Sequence, residues 1–281
     1  MNVLITGATG GIGKSLIDIF IKNNYHVIAL GRNVDELKKL QNKYGHMILC
    51  YKINLNYEDE IDSFFQFLED KKIKIHILIN GAGIGELDFF KNTSYQKIKK
   101  IIDTNILALT KFTSYFYKRM IKKGGTIINI SSTAGFQCGG PLMAIYYATK
   151  SYVNSFTYSL YEESKNTKIS IILLAPGPTL TNFAGMSQNL NSLEKLYITS
   201  PKEVATALFN GFIKKKFLII PGKINKLLYY SNKLLPSKIM LSFIKKFKKR
   251  KCQRNRRLYE NKKFIFNYSS ICNIWMYIFW S

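Results

Sequence analysis

One segment near the amino end restricts the possible folds more than any other. The apolar run Val3-Leu4-Ile5-Thr6 passes directly into Gly7-Ala8-Thr9-Gly10-Gly11-Ile12-Gly13, and a helical pattern opens at once. Gly7 permits a tight turn, Gly11 lets backbone amides approach a pyrophosphate, and Gly13 lets helix lie against strand; Ile12 belongs to the same cofactor-binding turn. The helix amino terminus then offers unpaired N–H groups and a partial positive charge to phosphates. Glycines also fill ordinary loops, so the turn alone says little, but a strand before it and a helix after it are the context the motif needs.

The chain that follows repeats this alternation. Apolar runs at 26–30, 47–53, 75–80, 126–131, 169–175 and 217–220 are rich in Ile, Val and Leu and do not alternate with polar residues, as expected of strands covered on both faces. Helical patterns lie between them at about 12–23, 34–44, 58–70, 95–121, 144–165 and 201–215, the last with Ser200 as cap and Pro201 in its first turn. The order predicts an α/β protein: a Rossmann-like doubly wound parallel sheet of about seven strands with helices on both faces. At 281 residues and 47% apolar content, the chain can form one large core plus an appendage.

The appendage is marked by charge. Residues 1–222 hold 27 Lys and Arg against 16 Asp and Glu, a net of +11, whereas residues 223–281 hold 15 against the single acid Glu260, a net of +14. A dinucleotide-binding domain over 1–222 and a basic, amphipathic, helical C-terminal extension over 223–281 are therefore expected. The extension reads as two helical pieces broken at Pro236, then a basic run, then 18 uncharged residues with Trp275 and Trp280. It suits peripheral contact with an anionic membrane; a partly disordered tail or a dimer-contact element fits equally well. Nucleic-acid binding by the run Lys245–Arg257 is disfavoured, because most such runs are simply solvated. Four scattered cysteines form no C-x-x-C pair, three histidines show no metal-ligand spacing, and no leader or spanning segment stands out, so a cytoplasmic setting without a metal is expected.

Cofactor choice should be set after the second strand, where NAD sites place an acid to bind the ribose 2′-hydroxyl. The sequence there is Leu30-Gly31-Arg32-Asn33, without a carboxylate. Arg32 can pair with a 2′-phosphate through its planar fork, or be an ordinary solvated loop residue. NADP(H) is preferred on this reading, with NAD(H) as the alternative.

A Tyr-x-x-x-Lys pair puts both side chains on one helix face, but the chain contains five, starting at Tyr95, Tyr146, Tyr161, Tyr229 and Tyr259. Tyr146–Lys150 stands apart because it opens the helix after the fifth strand, whose end carries Ser132, at the edge of the sheet where ligands bind. A neighbouring ammonium favours phenolate, so Lys150 should lower the Tyr146 pKa and make it a workable acid or base.

With these residues in view, roughly residues 2–222 resemble the short-chain dehydrogenase/reductase family. TGATGGIG resembles its TGxxxGxG, and NGAG (Asn80 to Gly83, with Ala82) its NNAG. Asn105, Ser132 and Tyr146-x-x-x-Lys150 fall on its catalytic positions, and Pro176-Gly177-Pro178-Thr179-Leu180-Thr181 on its PG loop. The resemblance implies that Tyr146 protonates a carbonyl oxygen as hydride arrives and that Ser132 orients that oxygen. It implies that Lys150 and Tyr146 meet the nicotinamide ribose side, that Asn105 holds a water in a proton relay, and that Asn54, Asn80, Ala82, Gly177 and Thr181 contact the cofactor. Three positions depart from the pattern. Gly81 replaces an asparagine, Asn54 stands where an aspartate often meets the adenine, and Gly139-Gly140 make the Ser132–Tyr146 interval one residue longer. The expected activity is hydride transfer between NADPH and a small carbonyl or alcohol compound, by a homo-oligomer. The rival readings are an NAD-dependent alcohol dehydrogenase and a dinucleotide-binding regulatory protein without catalysis. The loop Asn182–Thr199, which mixes apolar and small polar residues, should close over a medium-sized or lipid-like substrate.

Overall fold

In the computed structural model each of the seven apolar runs contains a strand: β1 (Asn2–Thr6), β2 (His26–Gly31), β3 (Ile48–Lys52), β4 (Ile77–Asn80), β5 (Gly125–Ile130), β6 (Ile169–Leu174) and β7 (Leu218–Ile219). All pair in parallel, in the order β3-β2-β1-β4-β5-β6-β7. The order reverses between β1 and β4, and at that point both strands end in glycine-bearing turns. This is where a doubly wound sheet opens a crevice for a ligand.

The helices are α1 (Gly11–Lys22), α2 (Val34–Tyr44), α3 (Glu58–Asp70), α4 (Tyr95–Ile102), α5 (Leu109–Lys123), α6 (Ala144–Glu163), α7 (Pro201–Ile213) and α8 (Lys223–Ser231). Strand pleating divides them into two layers. Val3, Ile5, Ile77 and Ile79 face a core shared with Leu16 and Phe20 of α1 and Val204 and Leu208 of α7. Leu4 and Leu78 point the other way, onto Phe64 of α3 and Phe112 of α5. Ser200 and Glu203 form a reciprocal cap on α7, as the Ser-Pro start of that helix led us to expect.

The structure describes residues 1–181, 183, 197–231, 238, 241, 242, 244 and 245. Most of the expected substrate loop Asn182–Thr199, the break at Pro236, the basic run beyond Lys245 and the uncharged last 18 residues lie outside the described residues. No helix among the described residues is long and apolar enough to cross a membrane. Residues 223–231 sit on the domain itself: Asn225 and Tyr229 of α8 are buried, and the Tyr229 ring meets Phe136 edge-on at 4.7 Å.

The helical pattern at 95–121 is interrupted. Between α4 and α5 the chain makes a π-helical turn, Asp103–Ala108, which carries Asn105. Apolar periodicity cannot register such a bulge, because one inserted residue leaves both flanking patterns intact.

Candidate active site

The glycine turn is closed by steric necessity at three points. Gly7 adopts φ +70°, and a Cβ there would lie 2.8 Å from the Ala82 backbone. A Cβ on Gly13 would lie 2.3 Å from the Gly7 carbonyl oxygen, and one on Gly11 would lie 2.9 Å from Cγ2 of Thr181. The turn after β1 is thus packed against the turn after β4 and beneath the PG loop. Thr6, the first residue of the TGATGGIG motif, fastens the first contact: its Oγ1 accepts from the N–H groups of Gly81 and Ala82 at 3.0 and 3.1 Å. The Ile12 side chain packs into the core, leaving only its backbone to face a phosphate.

Arg32 follows β2 and is exposed, and among the described residues it pairs with no carboxylate. The nearby acid Glu36 is bound to Lys14 of α1 and to Lys39, and the Lys14 ammonium holds its carboxyl below the usual range. Asn33 caps α2 by accepting from the Glu36 N–H. The amide oxygen of Asn54 accepts from the Asn56 N–H at 3.3 Å, which orients the half-buried side chain in the loop after β3 and leaves its second lone pair to accept a further bond.

Asn80 requires a correction. It was expected among the cofactor contacts, but pleating sends its side chain with Leu78 toward α5, away from the crevice. Its amide nitrogen donates to Thr113 Oγ1 and Asn129 Oδ1, both at 2.9 Å, and Asn129 in turn donates to Thr157 Oγ1 at 3.0 Å. All four residues are buried. This network ties β4 and β5 to α5 and α6, and an asparagine following an apolar run near the carboxyl end of each strand was the signal that could have revealed it.

The four expected catalytic residues converge on the carboxyl ends of β4, β5 and β6. Ser132 Oγ donates to the Pro176 carbonyl at 3.3 Å and accepts from the Ala134 N–H at 3.1 Å. The Tyr146 phenol is hydrogen-bonded to Ser132, and its ring lies 5.1 Å from that of Phe183. Lys150 is 5% exposed and donates to the Ile130 carbonyl at 2.9 Å, with its nitrogen 5.8 Å from the centre of the Tyr146 ring. Asn105 is fully buried. Its amide accepts from the Ile84 N–H and donates to the Ile84 carbonyl, both at 2.9 Å, and also donates to Thr149 Oγ1. The π turn thus presents one amide that pairs with Ile84 as a strand partner would and pins the loop after β4. Gly83 of that loop runs beside both groups, since a Cβ there would stand 3.3 Å from the Lys150 nitrogen and 3.7 Å from Asn105 Oδ1.

The electrostatics differ from the expectation in one respect. The Tyr146 pKa is pushed up to about 12, not down, because burial of the phenolate outweighs the hydrogen bond it shares with Ser132. Burial also brings Lys150 down to about 8. Both groups are thus biased toward their neutral forms.

The sequence profile of the short chain dehydrogenase family matches residues 1–192. The chain is 32% identical over 181 residues to the NADP-dependent 3-hydroxy acid dehydrogenase of Salmonella typhi, an alignment covering 63% of this chain and 72% of that protein. It is 28% identical over 173 residues to the 3-oxoacyl-[acyl-carrier-protein] reductase of Rattus norvegicus, covering 62% and 73%. Among solved structures, a short-chain dehydrogenase from Sphingobium yanoikuyae in complex with NADPH superimposes with a TM-score of 0.70 at 26% identity, over 78% of this chain and 87% of that one. A 4-hydroxyisoleucine dehydrogenase complexed with NADH superimposes with a TM-score of 0.71, also at 26% identity, over 79% and 97%.

Proposed function

The chain belongs to the short-chain dehydrogenase family of oxidoreductases, and we propose that it transfers hydride between NADPH and a carbonyl/alcohol pair with Tyr146 as the proton-transferring group. The observation that carries this reading is the Ser132–Tyr146 hydroxyl pair, set beside buried Lys150 at the carboxyl end of β5, one strand from the switch point of the sheet. A nicotinamide cofactor, when bound, supplies the hydride. The residues suit such a group: Gly7, Gly11 and Gly13 leave backbone where any side chain would collide, and the α1 amino terminus follows at once.

Ser132 accepts from the Ala134 N–H and gives its one proton to the Pro176 carbonyl, so a turn of that O–H brings the proton onto a substrate oxygen while Oγ stays in place. A phenol with a pKa near 12 stays protonated at neutral pH, so Tyr146 is ready to donate to that oxygen as charge develops on it, the role that reduction requires. Lys150 stands with its nitrogen at the Gly83 edge of the crevice, placed for the nicotinamide ribose. Asn105 acts by holding the loop at Ile84 in place, and its amide oxygen faces the same Gly83 edge, where a relay water would stand. Gly177 and Thr181 complete the cofactor side from the PG loop.

NADP(H) is the preferred cofactor and NAD(H) the usable alternative, on the support of exposed Arg32, the neutralised Glu36 and an NADP-dependent relative. The test is cofactor oxidation with a panel of medium-sized and lipid-like ketones and aldehydes, each assayed with NADPH and NADH. Turnover with NADPH is expected. Tight NADPH binding with no turnover on any carbonyl or alcohol would favour a non-catalytic dinucleotide sensor.

One observation favours a membrane-facing extension. The outer side of α8 exposes Ile224, Leu227 (68%), Leu228 and Tyr230, flanked by Lys223 and Lys226, at the start of a segment with net +14. Such a face suits an anionic bilayer, with each nearby basic residue contributing about 1 kcal/mol. Full-length protein should co-sediment with phosphatidylserine vesicles and not with pure phosphatidylcholine, and an Ile224→Glu, Leu227→Glu variant should be released. Equal sedimentation of variant and wild type would exclude α8 as the contact. Leu107 before α5 and Tyr152 and Tyr158 on α6 are also exposed, a surface that a second copy of the chain would bury in a homo-oligomer.

A further inference from the structure

We propose that Asn225, on α8, is a positioning residue that holds the PG loop in register over the glycine turn. The inference rests on the proposed function, because the loop matters only if a dinucleotide lies beneath it. Asn225 is 2% exposed, and its amide nitrogen donates to the Tyr197 carbonyl at 2.9 Å and the Pro221 carbonyl at 3.2 Å. Its amide oxygen lies only 2.2 Å from where a Cβ on Gly177 would stand, so Gly177 is a glycine because Asn225 occupies that space.

What Asn225 grips is the stem beneath the segment that leaves the sheet after Thr181. The Leu180 N–H donates to the Thr199 carbonyl at 2.9 Å, and the Thr199 N–H donates to the Pro178 carbonyl at 3.0 Å, closing the stem as a short parallel bridge. One side of this bridge continues to Thr181, which packs on Gly11, and to Pro176, whose carbonyl accepts from Ser132 Oγ and the Thr133 N–H. The other side begins at Tyr197, which Asn225 holds. Gly222, at φ +85°, turns the chain so that the first turn of α8 brings Asn225 into this position; a Cβ there would meet the Asn225 amide at 2.9 Å. A single buried amide therefore links the last described helix to the loop that both covers the glycine turn and anchors Ser132. The residue lies outside the 1–192 span of the family profile.

Three variants test the assignment in the full-length protein: Asn225→Ala, Gly177→Ala and the double variant. In Asn225→Ala, amide hydrogen exchange should accelerate at Leu180 and Thr199 while β1 and α1 keep their protection. NADPH affinity should fall about tenfold, the scale of a lost buried hydrogen bond with its acceptors left unpaired. Its KM for NADPH should rise more than kcat falls, since Tyr146 and Lys150 are untouched. Gly177→Ala alone should weaken NADPH binding at least as much, and the double variant should recover part of that loss because the methyl group then enters the vacated space. Unchanged exchange at Leu180 and Thr199, unchanged NADPH affinity in Asn225→Ala, or a double variant with no recovery would each overturn the proposal. Failure of the wild type to bind NADPH would count instead against the proposed function, while the exchange comparison would still decide whether Asn225 holds the loop.

Discussion

The start of α6 and the segment that leaves its end carry the same five-residue motif, Tyr-x-x-x-Lys, and very nearly the same local geometry. At the start, the Lys150 nitrogen lies 5.8 Å from the Tyr146 ring centre; at the end, the Lys165 nitrogen lies 5.7 Å from that of Tyr161. Yet the environments are opposite. Lys165 is exposed and bonded to Glu162 at 2.6 Å, which raises its pKa, and Tyr161 stacks on Phe217 at 4.0 Å. Lys150 is buried against a backbone carbonyl and its pKa is lowered to about 8, while Tyr146 meets the Ser132 hydroxyl. Spacing on a helix sets which side chains are neighbours. Only position in the tertiary structure sets whether their protons are of use, because desolvation and a second hydroxyl come from elsewhere in the chain.

The comparison is most directly broken by removing one oxygen from each end. Tyr146→Phe should lower turnover by about 10²–10⁴-fold with NADPH binding nearly intact, whereas Tyr161→Phe should leave both unchanged. Steady-state NADPH oxidation measures the difference, and similar losses in the two variants would mean that Tyr146 has no special part in the chemistry.

A second test asks whether the nucleotide end is as specific as the catalytic end. Arg32→Ala should raise the KM for NADPH by about tenfold and that for NADH little, as expected for loss of one charge-assisted phosphate contact. Equal changes for both cofactors would show that Arg32 does not read the 2′-phosphate.

The smallest effect concerns stability against pH. The folded Lys150 pKa of about 8 lies below its ordinary 10.5, so between these values the unfolded chain binds more protons at this residue than the native one. The Lys150 contribution to stability therefore rises as pH increases from about 8 to 10.5, and is flat and unfavourable below 8. Lys150→Met should abolish that rise and leave the protein at least as stable as wild type at pH 7, while Lys165→Met should alter stability by under about 1 kcal/mol at any pH. Urea denaturation at pH 7, 8, 9 and 10 provides the measurement. An unchanged slope in Lys150→Met would show that this ammonium is not desolvated in the native state.

The sequence by itself determined the strand and helix order, the parallel sheet and the glycine turn, because period and steric limits act over a few residues. Val3 to Gly13 carries its own reading for that reason. The sequence also identified Ser132, Tyr146 and Lys150 as a set, through position relative to the fifth strand. Only the tertiary structure decided what depends on contacts between distant segments. It turned Asn80 into the core and set the Asn54 oxygen within reach of the Asn56 N–H. It also placed Asn105 on a π turn against Ile84, set Thr6 beneath Ala82, and brought Asn225 against Gly177. The direction of the Tyr146 pKa belongs with these. The motif supplies a nearby cation that would lower it, but burial among Phe183, Tyr147 and the loop after β5 raises it, and burial is a property of the assembled fold, not of spacing along one helix.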